Sequence, residues 1–414
     1  MLFYIIVFSL LQISYSIGTL KHIQIFTRHG NRMPVRYLSF PNDPPLNMST
    51  VPYSLGELTN EGINNIYMLG QRLNIRYGSM LLNDFIVSKH LSAVSGIDNR
   101  TSESTEALLA GMFIPGPSQI WNSFLPWKPI ALTTTPILDE VGLGITTRCP
   151  HMMQTFDIKK IMNDLNGEFR DNITFISDLI GMKIDNATQL ADIIENIATR
   201  YNLSFLPLSK ASQTQEMRDE IANIHNRLQS GFIGKIIESS GGWHHGLIMT
   251  NIRNFIGNRT DHKMMLYGGH DTNIMTIANI YKIKDLAQNL APYCSFLAIE
   301  LHNINGIDQI QILFNNGSDP ADTRLYNLSS TCGSPCTVEK FQNLYQEYSS
   351  SKWTSDCHGL NEAAESSMIF LTFSTILNFV FLACIMILSI TCLNYRNLYL
   401  KNVLSDSTPL LLMR

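Results

Sequence analysis

The stretch Arg28-His29-Gly30-Asn31-Arg32-Met33-Pro34 places a histidine between two arginines, where an alternating apolar run ends. Arginine suits a phosphate group because its planar guanidinium can donate to two oxygens at once and stays charged at any working pH. The preceding alternation predicts a buried strand, which Gly30 and Pro34 terminate. His29 is therefore predicted in a loop at the carboxyl end of a strand, where the ligand crevice of an open α/β sheet lies. The alternative is a surface cluster of basic residues.

Two further stretches repeat this order of strand end, turn and functional side chain. The apolar pieces Phe85 to Val87 and Leu91 to Val94 predict short strands, and Arg100 follows in a turn that leads into a helix. A third predicted strand precedes Gly268-Gly269-His270-Asp271-Thr272, which opens another helix. Glycines let the backbone approach a ligand, and the N–H groups of a helix N-terminus favour an anion. The alternatives are an exposed arginine at a helix start and an ordinary helix cap beside a histidine.

The Arg-His-Gly-x-Arg-x-Pro stretch resembles the signature of the histidine acid phosphatases, and the His270-Asp271 pair is similar to the second half of that family's site. The similarities cover nearly all of the chain between its two apolar ends. The resemblance implies an α/β fold with a histidine-phosphatase-like mixed sheet flanked by helices. It also implies an inserted α-helical cap subdomain, at roughly residues 149–228, and hydrolysis of phosphate monoesters at acid pH.

The resemblance implies a role for each matched residue. His29 attacks phosphorus and forms a phosphohistidine, and the neighbouring guanidinium groups favour its neutral, nucleophilic form. Asp271 protonates the leaving alkoxide and then activates water, a role that suits an acid operating pH. We expect neither a metal nor a cofactor. The phosphate group is bound by Arg28, Arg32, Arg100 and His270.

Other functions fit this pattern less well. A phosphoglycerate mutase would share the Arg-His-Gly start and the fold class, but the late His-Asp-Thr, the apolar leader and the disulfides fit the acid phosphatases. A phytase-like relative usually carries His-Ala-Glu in place of His270-Asp271. A non-catalytic surface glycoprotein of the same fold predicts the loss of at least one pocket residue, and none is lost.

Both ends of the 414-residue chain are apolar. Residues 1–16 predict a signal peptide, because their apolar run is too short to span a bilayer and is followed by small residues suited to cleavage. Residues 369–393 contain no charged side chain and exceed the roughly 20 residues that cross a membrane. Arg396 and Lys401 follow, as the positive-inside rule expects. These features predict a single-pass anchor.

The body, residues 17–367, is then lumenal or extracellular, and residues 394–414 form a short cytoplasmic tail. Asp406-Ser-Thr-Pro-Leu410-Leu411 resembles an acidic dileucine signal, which implies a sorting adaptor as partner and an endosomal or lysosomal membrane, with the cell surface as the alternative. Tyr395-Arg-Asn-Leu398 resembles a tyrosine-based signal close to the membrane. A homodimer is compatible with the sequence. The net charge of −4 argues against a nucleic-acid partner.

Five of the seven cysteines lie outside the predicted membrane span. Cys332 and Cys336 predict a small-loop disulfide, because no second Cys or His pair nearby completes a metal site. The resemblance implies a further bridge between Cys149 and Cys357 and leaves Cys294 unpaired. Asn99 is expected to carry no glycan, since a glycan beside Arg100 would crowd the crevice. The other Asn-x-Ser/Thr sites are predicted glycosylation sites: Asn47, Asn172, Asn186, Asn202, Asn258, Asn316 and Asn327.

Overall fold

The structure is a computed structural model. It describes residues 19–45, 47, 49, 51–82, 85–140, 158–317, 323–326, 328–358 and 362–405. The chain divides into two compact units, Met1–His358 and Gly359–Arg414. The predicted signal peptide and the dileucine pair lie outside the described residues.

The first unit contains a seven-stranded mixed sheet with the strand order β3-β2-β4-β1-β5-β6-β7. The four strands from β3 to β1 pair in parallel, and β5, β6 and β7 continue the sheet antiparallel to their neighbours. The predicted α/β class and the closing pair of strands are therefore confirmed. The strands are β1 (Thr19–Arg28), β2 (Leu91–Ser95), β3 (Thr133–Thr134), β4 (Met264–Gly269), β5 (Phe296–Ile304), β6 (Ile307–Asn315) and β7 (Thr323–Tyr326).

Helices flank the sheet and fill the long connection between β3 and β4. Short 3₁₀ turns occur at Pro117–Gln119, Lys210–Ser212 and Gln346–Tyr348. The helices of the first unit are α1 (Asn60–Leu82), α2 (Val87–His90), α3 (Asn99–Met112), α4 (Ile137–Glu140), α5 (Ile158–Glu168), α6 (Arg170–Ile180), α7 (Ala187–Tyr201), α8 (Gln215–Ile256), α9 (Asp271–Ile280), α10 (Lys284–Gln288), α11 (Ser329–Cys332), α12 (Val338–Leu344) and α13 (Ser350–His358).

The alternation of β1 divides its side chains between two cores, because successive residues of a strand face opposite sides of a sheet. Ile23 and Ile25 are fully buried in the core that α1 and α3 cover. Phe26 packs into the core on the other side with Ile248 of α8 and Ile274 of α9. Both faces of the central strands are thus covered, as is usual for parallel strands.

A third core lies among α5, α6, α7 and the first half of α8. Its members recur at helical spacing, as Leu190, Ile194 and Ile197 do on α7. This is the inserted helical layer that the resemblance implied. Residue 228, the expected end of the cap, lies inside α8, which continues to Ile256 and joins the helical layer to the core beneath the sheet.

The prediction of a strand at Phe85 to Val87 is wrong. The chain forms the short helix α2 there, in which the Ile86 carbonyl accepts from the backbone N–H groups of Lys89 and His90. The strand β2 begins only at Leu91. Local apolar composition favoured a strand, but turn hydrogen bonds satisfy this backbone before the sheet edge is reached.

The structure contains the predicted disulfide between Cys332 and Cys336, with a Cα–Cα distance of 5.2 Å. Cys294 is buried and free, as expected. Cys357 is disulfide-bonded. Its expected partner Cys149 lies outside the described residues, so that pairing stays a prediction.

The second unit contains one helix, α14 (Glu362–Ser405), within its described residues. Its segment Leu371–Asn402 is long and apolar enough to cross a membrane, and it is the one such helix in the described part of the chain. This segment overlaps the predicted span, residues 369–393. A single-pass membrane protein is compatible with it.

Candidate active site

The two halves of the predicted site meet because β1 and β4 are neighbouring parallel strands. Arg28, the last residue of β1, is paired with Gly269, the last residue of β4. The His29 backbone N–H donates to the Gly269 carbonyl over 3.0 Å. His29 and His270 therefore follow adjacent strands at the same sheet edge, and their ring centroids lie 5.3 Å apart.

The loop that carries His29 runs against the start of α1 at two glycines. A Cβ atom on Gly30 would overlap the carbonyl of Gly62, and one on Gly62 would overlap the backbone of Asn31. The Gly30 N–H donates to Ser104 Oγ of α3 over 3.0 Å. Close backbone approach thus fixes the loop between two helices, which explains why glycine occupies both positions.

A cavity of about 830 Å³ opens at this edge of the sheet. Its wall includes side chains of α7 and α8, so the inserted helical layer forms the side of the cavity remote from the sheet. All six predicted catalytic and phosphate-binding residues line this one cavity: Arg28, His29, Arg32, Arg100, His270 and Asp271.

His29 is buried, and its tautomer follows from its contacts. Its Nδ1 lies 2.9 Å from the Gly30 carbonyl oxygen. Because a carbonyl only accepts, Nδ1 carries the proton and Nε2 keeps its lone pair. Burial, followed by the charges of His270 and Arg32, holds the pKa of His29 well below its usual value. The imidazole is therefore neutral at acid pH and has a nucleophilic Nε2.

Three guanidinium groups surround this histidine. The Nε atoms of Arg28, Arg32 and Arg100 are buried and have no hydrogen-bond partner within the described part of the chain. Other nitrogens of the same groups are held: an Nη of Arg28 donates to the Ala291 carbonyl over 2.6 Å, and one of Arg32 to the Met33 carbonyl over 2.9 Å. The arginines are thus fixed in place while one donor of each remains unsatisfied.

Asp271 is the first residue of α9, and its Oδ2 lies 2.7 Å from Nη2 of Arg28. Its Oδ1 accepts from the Thr272 backbone N–H over 2.7 Å. Burial would raise the pKa of Asp271, but the charges of Arg28 and His270 outweigh burial and lower the pKa. Without an anion in the cavity, Asp271 is therefore ionised and paired.

Sequence reasoning missed Asp139, which lies in α4. Its Oδ1 lies 2.8 Å from Nε2 of His270, and its Oδ2 accepts from the backbone N–H groups of Ile97 and Asp98. Burial would raise the pKa of Asp139, but the hydrogen bond to His270 and these N–H groups lower it. One carboxylate thus orients His270 and holds the turn before Arg100. Nothing in the local sequence distinguishes Asp139 from Glu140.

Asp98, Asp139 and His270 are also the one group of described residues whose possible metal-ligand atoms converge, within 4.8 Å of one another. Each already has a protein partner, because Asp98 pairs with Arg100 over 2.5 Å and Asp139 with His270. These side chains therefore orient the cationic residues of the cavity.

Three further lining residues were missed. Tyr293 packs against the Arg28 guanidinium, 4.0 Å from the ring centroid, as in cation–π contacts. Glu195 of α7 accepts from Arg32 over 2.9 Å, which ties the helical layer to the loop of His29. His225 of α8 is buried in the cavity wall. No local motif marks them, since only the fold brings them to the cavity.

Three predicted glycosylation sites are exposed, namely Asn47, Asn202 and Asn258. Asn99, which was expected to carry no glycan, is exposed as well, so its occupancy stays a prediction. Asn202 lies at the cavity, and its Nδ2 donates to the Ala198 carbonyl over 3.0 Å. Asn327 lies outside the described residues.

The sheet and the cavity define an α/β protein with a histidine-centred, arginine-lined pocket at the ends of two parallel strands. Residues 19–315 match the family model of the histidine phosphatase superfamily, branch 2, and the chain belongs to that superfamily.

Curated relatives agree with this assignment. Lysosomal acid phosphatase of Homo sapiens is 26% identical over 366 residues, covering 85% of this chain and 83% of the relative. Venom acid phosphatase Acph-1 of Apis mellifera is 26% identical over 346 residues, covering 79% and 84%. Both relatives are named as acid phosphatases, and the chain is an enzyme of the histidine phosphatase superfamily.

Solved structures share the fold. The apo form of the Hafnia alvei phytase has a TM-score of 0.59 at 16% identity, covering 81% of this chain and 98% of that one. The phytase from Citrobacter braakii has a TM-score of 0.56 at 14% identity, covering 81% and 99%.

Proposed function

We propose that the chain is an acid phosphatase that hydrolyses phosphate monoesters through a phosphohistidine at His29. The observation that carries this proposal is that three arginines line the same cavity as His29, each with a buried guanidinium Nε that has no hydrogen-bond partner in the described part of the chain. Leaving a buried donor unsatisfied is costly. A phosphoryl group supplies acceptors to Arg28, Arg32 and Arg100 together, and its spread negative charge is stabilised by fixed cations.

The first step forms the phosphoenzyme. The lone pair on His29 Nε2 attacks phosphorus while the bond between phosphorus and the ester oxygen breaks, and the electron pair leaves with that oxygen. Asp271 donates its carboxyl proton to the departing alkoxide, which leaves as an alcohol. The arginines and His270 hold the three non-bridging oxygens throughout.

The second step releases phosphate. A water molecule replaces the alcohol and gives a proton to the Asp271 carboxylate as its oxygen attacks the phosphohistidine. The bond between nitrogen and phosphorus breaks, and the electron pair returns to His29 Nε2. Asp271 ends the cycle protonated, ready for the next ester.

The ion pair of Asp271 with Arg28 is compatible with an acid role. A bound phosphoryl group competes for Arg28 and adds negative charge beside Asp271, and both effects raise the pKa of a carboxyl. Substrate therefore promotes protonation of Asp271, and an acidic compartment adds to this effect.

A phytase-like activity is the second candidate, since solved phytases share the fold. At such low identity, the similarity to these phytases supports a shared fold only. In addition, His270 is followed here by Asp271, where a phytase-like relative usually has Ala-Glu. A non-catalytic glycoprotein of this fold is disfavoured, because all six expected residues line one cavity.

We propose that the chain is a type I single-pass membrane protein, with a cleaved signal peptide, a glycosylated lumenal body and a short cytoplasmic tail. The apolar segment Leu371–Asn402 and the lysosomal acid phosphatase relatives support this proposal. The dileucine pair supports endosomal or lysosomal sorting through an adaptor. A homodimer stays compatible with these features.

The test is phosphoenzyme trapping with His29→Ala and a matched His262→Ala control, since His262 lies outside the cavity lining. We expect the parent and the control to hydrolyse p-nitrophenyl phosphate and, after acid-free quenching, to retain a base-stable, acid-labile phosphoryl label. His29→Ala should lack both. Substantial turnover or labelling in folded His29→Ala would overturn the nucleophile assignment.

A further inference from the structure

The cavity extends well beyond the arginines, and its outer wall is formed by α7 and α8. On α8, His225 and Gln229 both line the cavity, and His225 lies close enough to Asp271 for their charges to interact. His225 and Gln229 are four residues apart, so they lie one above the other on the same face of the helix. In an in-line displacement the alcohol leaves phosphorus on the side opposite His29, where Asp271 protonates it, so it departs along the part of the wall next to Asp271.

His225 and Gln229 both line the cavity, and neither side chain has a hydrogen-bond partner among the described residues. His225 is nevertheless only 9% exposed. Buried polar side chains are nearly always paired, so an unpaired one in a cavity wall points to a ligand. By contrast, Asn226 is committed, since its Nδ2 donates to Asn289 and its Oδ1 accepts from the Leu290 N–H.

Beyond the arginines around His29, the charged lining residues are Arg36 and Arg218 against Asp192, Glu195 and Asp219, so the carboxylates outnumber the cations. Arg36 and Asp192 form an ion pair of 3.0 Å. Arg218 donates to the carbonyls of Ser212 and Gln213, 3.0 Å each. The outer wall therefore offers no surplus of cations to a second phosphate group, and Glu195 beside Arg32 would repel one.

We propose that His225 and Gln229 form a leaving-group subsite for an uncharged, hydroxyl-bearing alcohol, which makes small polyol monophosphates the favoured substrate class. A hydroxyl donates and accepts at once, as do a neutral imidazole and a primary amide. Burial lowers the pKa of His225 and outweighs the nearby Asp271 and Glu195 carboxylates, which raise it, so the neutral ring is favoured. This inference rests on the proposed phosphatase function and adds the substrate class.

The test compares two esters of the same shape in the purified full-length protein in detergent. Glycerol 2-phosphate carries two hydroxyls, and pentan-3-yl phosphate has methyl groups in their place. We expect kcat/KM to favour glycerol 2-phosphate by on the order of tenfold, the worth of two hydrogen bonds. Inositol hexakisphosphate should be the poorest substrate of the three.

Variants locate the preference. The double variant His225→Ala, Gln229→Ala should bring the ratio of the two kcat/KM values close to one. The single variant His225→Asn, which keeps a hydrogen-bonding side chain, should have a ratio between those of the double variant and the parent. Any general loss from altered packing cancels in the ratio, because both esters undergo the same phosphoryl transfer. The matched control His262→Ala should keep the parent ratio.

Three outcomes would overturn the inference: a parent ratio near one, a ratio that survives the double substitution, or a preference for inositol hexakisphosphate. A preference for inositol hexakisphosphate would mean that this part of the cavity binds polyanionic substrates. Failure of the proposed function looks different, because neither ester would then be hydrolysed and no phosphohistidine would form.

Discussion

Arg28 Nη2 lies 2.7 Å from Asp271 Oδ2, so a phosphate-binding group and the proposed general acid are ion-paired when no anion is bound. The pairing couples substrate binding to proton uptake. When phosphate oxygens take over Arg28, the Asp271 carboxylate loses its partner and gains a negative neighbour. Its affinity for the proton that it must later donate rises as a result.

This coupling predicts a difference between two pH profiles. The pH dependence of kcat/KM reports groups of the free enzyme, and that of kcat reports groups of the enzyme–substrate complex. Because anion binding raises the pKa of Asp271, kcat should fall with rising pH at a higher pH than kcat/KM does. Steady-state kinetics of glycerol 2-phosphate hydrolysis across pH 3 to 8 (roughly) measures both limbs. Coincident limbs would show that Asp271 does not respond to the bound phosphoryl group.

Asp271→Asn should affect substrates according to their leaving groups. A p-nitrophenolate needs little protonation, whereas an alkoxide needs a proton as it departs. We expect the loss in kcat to be at least ~100-fold larger for an alkyl ester than for p-nitrophenyl phosphate, within the range usual for general acids. Parallel measurements of the two esters decide the question, and equal losses would remove Asp271 from the role of proton donor.

Asp139→Asn should weaken phosphate binding as well as turnover, because Asp139 orients His270 and the turn before Arg100. Misplacement of binding groups by an ångström can cost up to ~100-fold in rate. We expect a raised inhibition constant for inorganic phosphate together with a lowered kcat, while Glu140→Gln on the same short helix leaves both near the parent values. If phosphate inhibited Asp139→Asn as strongly as it inhibits the parent, Asp139 would have no positioning role.

Buried histidines should make the fold less stable as pH falls. Burial, with a smaller effect of Arg253, lowers the pKa of His245 to about 4. The unfolded chain takes up a proton below about pH 6.5, and the folded protein takes it up only near pH 4. This group's contribution to the free energy of unfolding is therefore full above pH 6.5 and is lost from there down to about pH 4, by ~1.4 kcal/mol per pH unit.

His245→Gln should flatten that dependence, which urea titrations of the detergent-solubilised protein at pH 7 and pH 5 measure. Phe341→Leu is the control, since Phe341 packs 5.9 Å from the same ring and carries no titratable group. It should lower stability by the same amount at both pH values. An unchanged pH dependence in His245→Gln would mean that His245 is protonated in the folded protein.

Sorting is testable apart from catalysis. Leu410→Ala with Leu411→Ala should shift the protein from endolysosomal membranes toward the plasma membrane, because adaptors read the acidic dileucine pair. Surface biotinylation and organelle fractionation measure the shift, with Leu398→Ala testing the tyrosine-based stretch. An unaltered distribution of the double variant would refute the sorting proposal and leave the catalytic assignment in place.

Much of the site was predictable from the sequence because its parts lie directly after strands. Arg28, His29 and Arg32 follow β1, and His270 and Asp271 follow β4, so the apolar periodicity that marks a strand also marks the loop beyond it. The order of the strands was not predictable in this way. Only the parallel pairing of β1 with β4 shows why these loops meet.

The missed residues share a physical reason. Asp139, Glu195 and His225 lie on helices that only the tertiary packing brings to the cavity. No motif in the sequence around any of them marks it as a site residue. In the sequence of α7, Glu195 is one of several polar residues on the hydrophilic face of an amphipathic helix. Its contact with Arg32 exists because α7 packs beside the loop after β1.

The helix α8 begins at the cavity and ends beneath the sheet, at ~1.5 Å per residue over its 42 residues. Because one unbroken helix belongs to both the helical layer and the sheet core, the layer has no hinge at residue 228 about which it could swing as a lid. Residues of the first turns of α8 line the cavity, whereas Ile248 packs in the core beneath the sheet, so a displacement of either end of this helix is transmitted to the other.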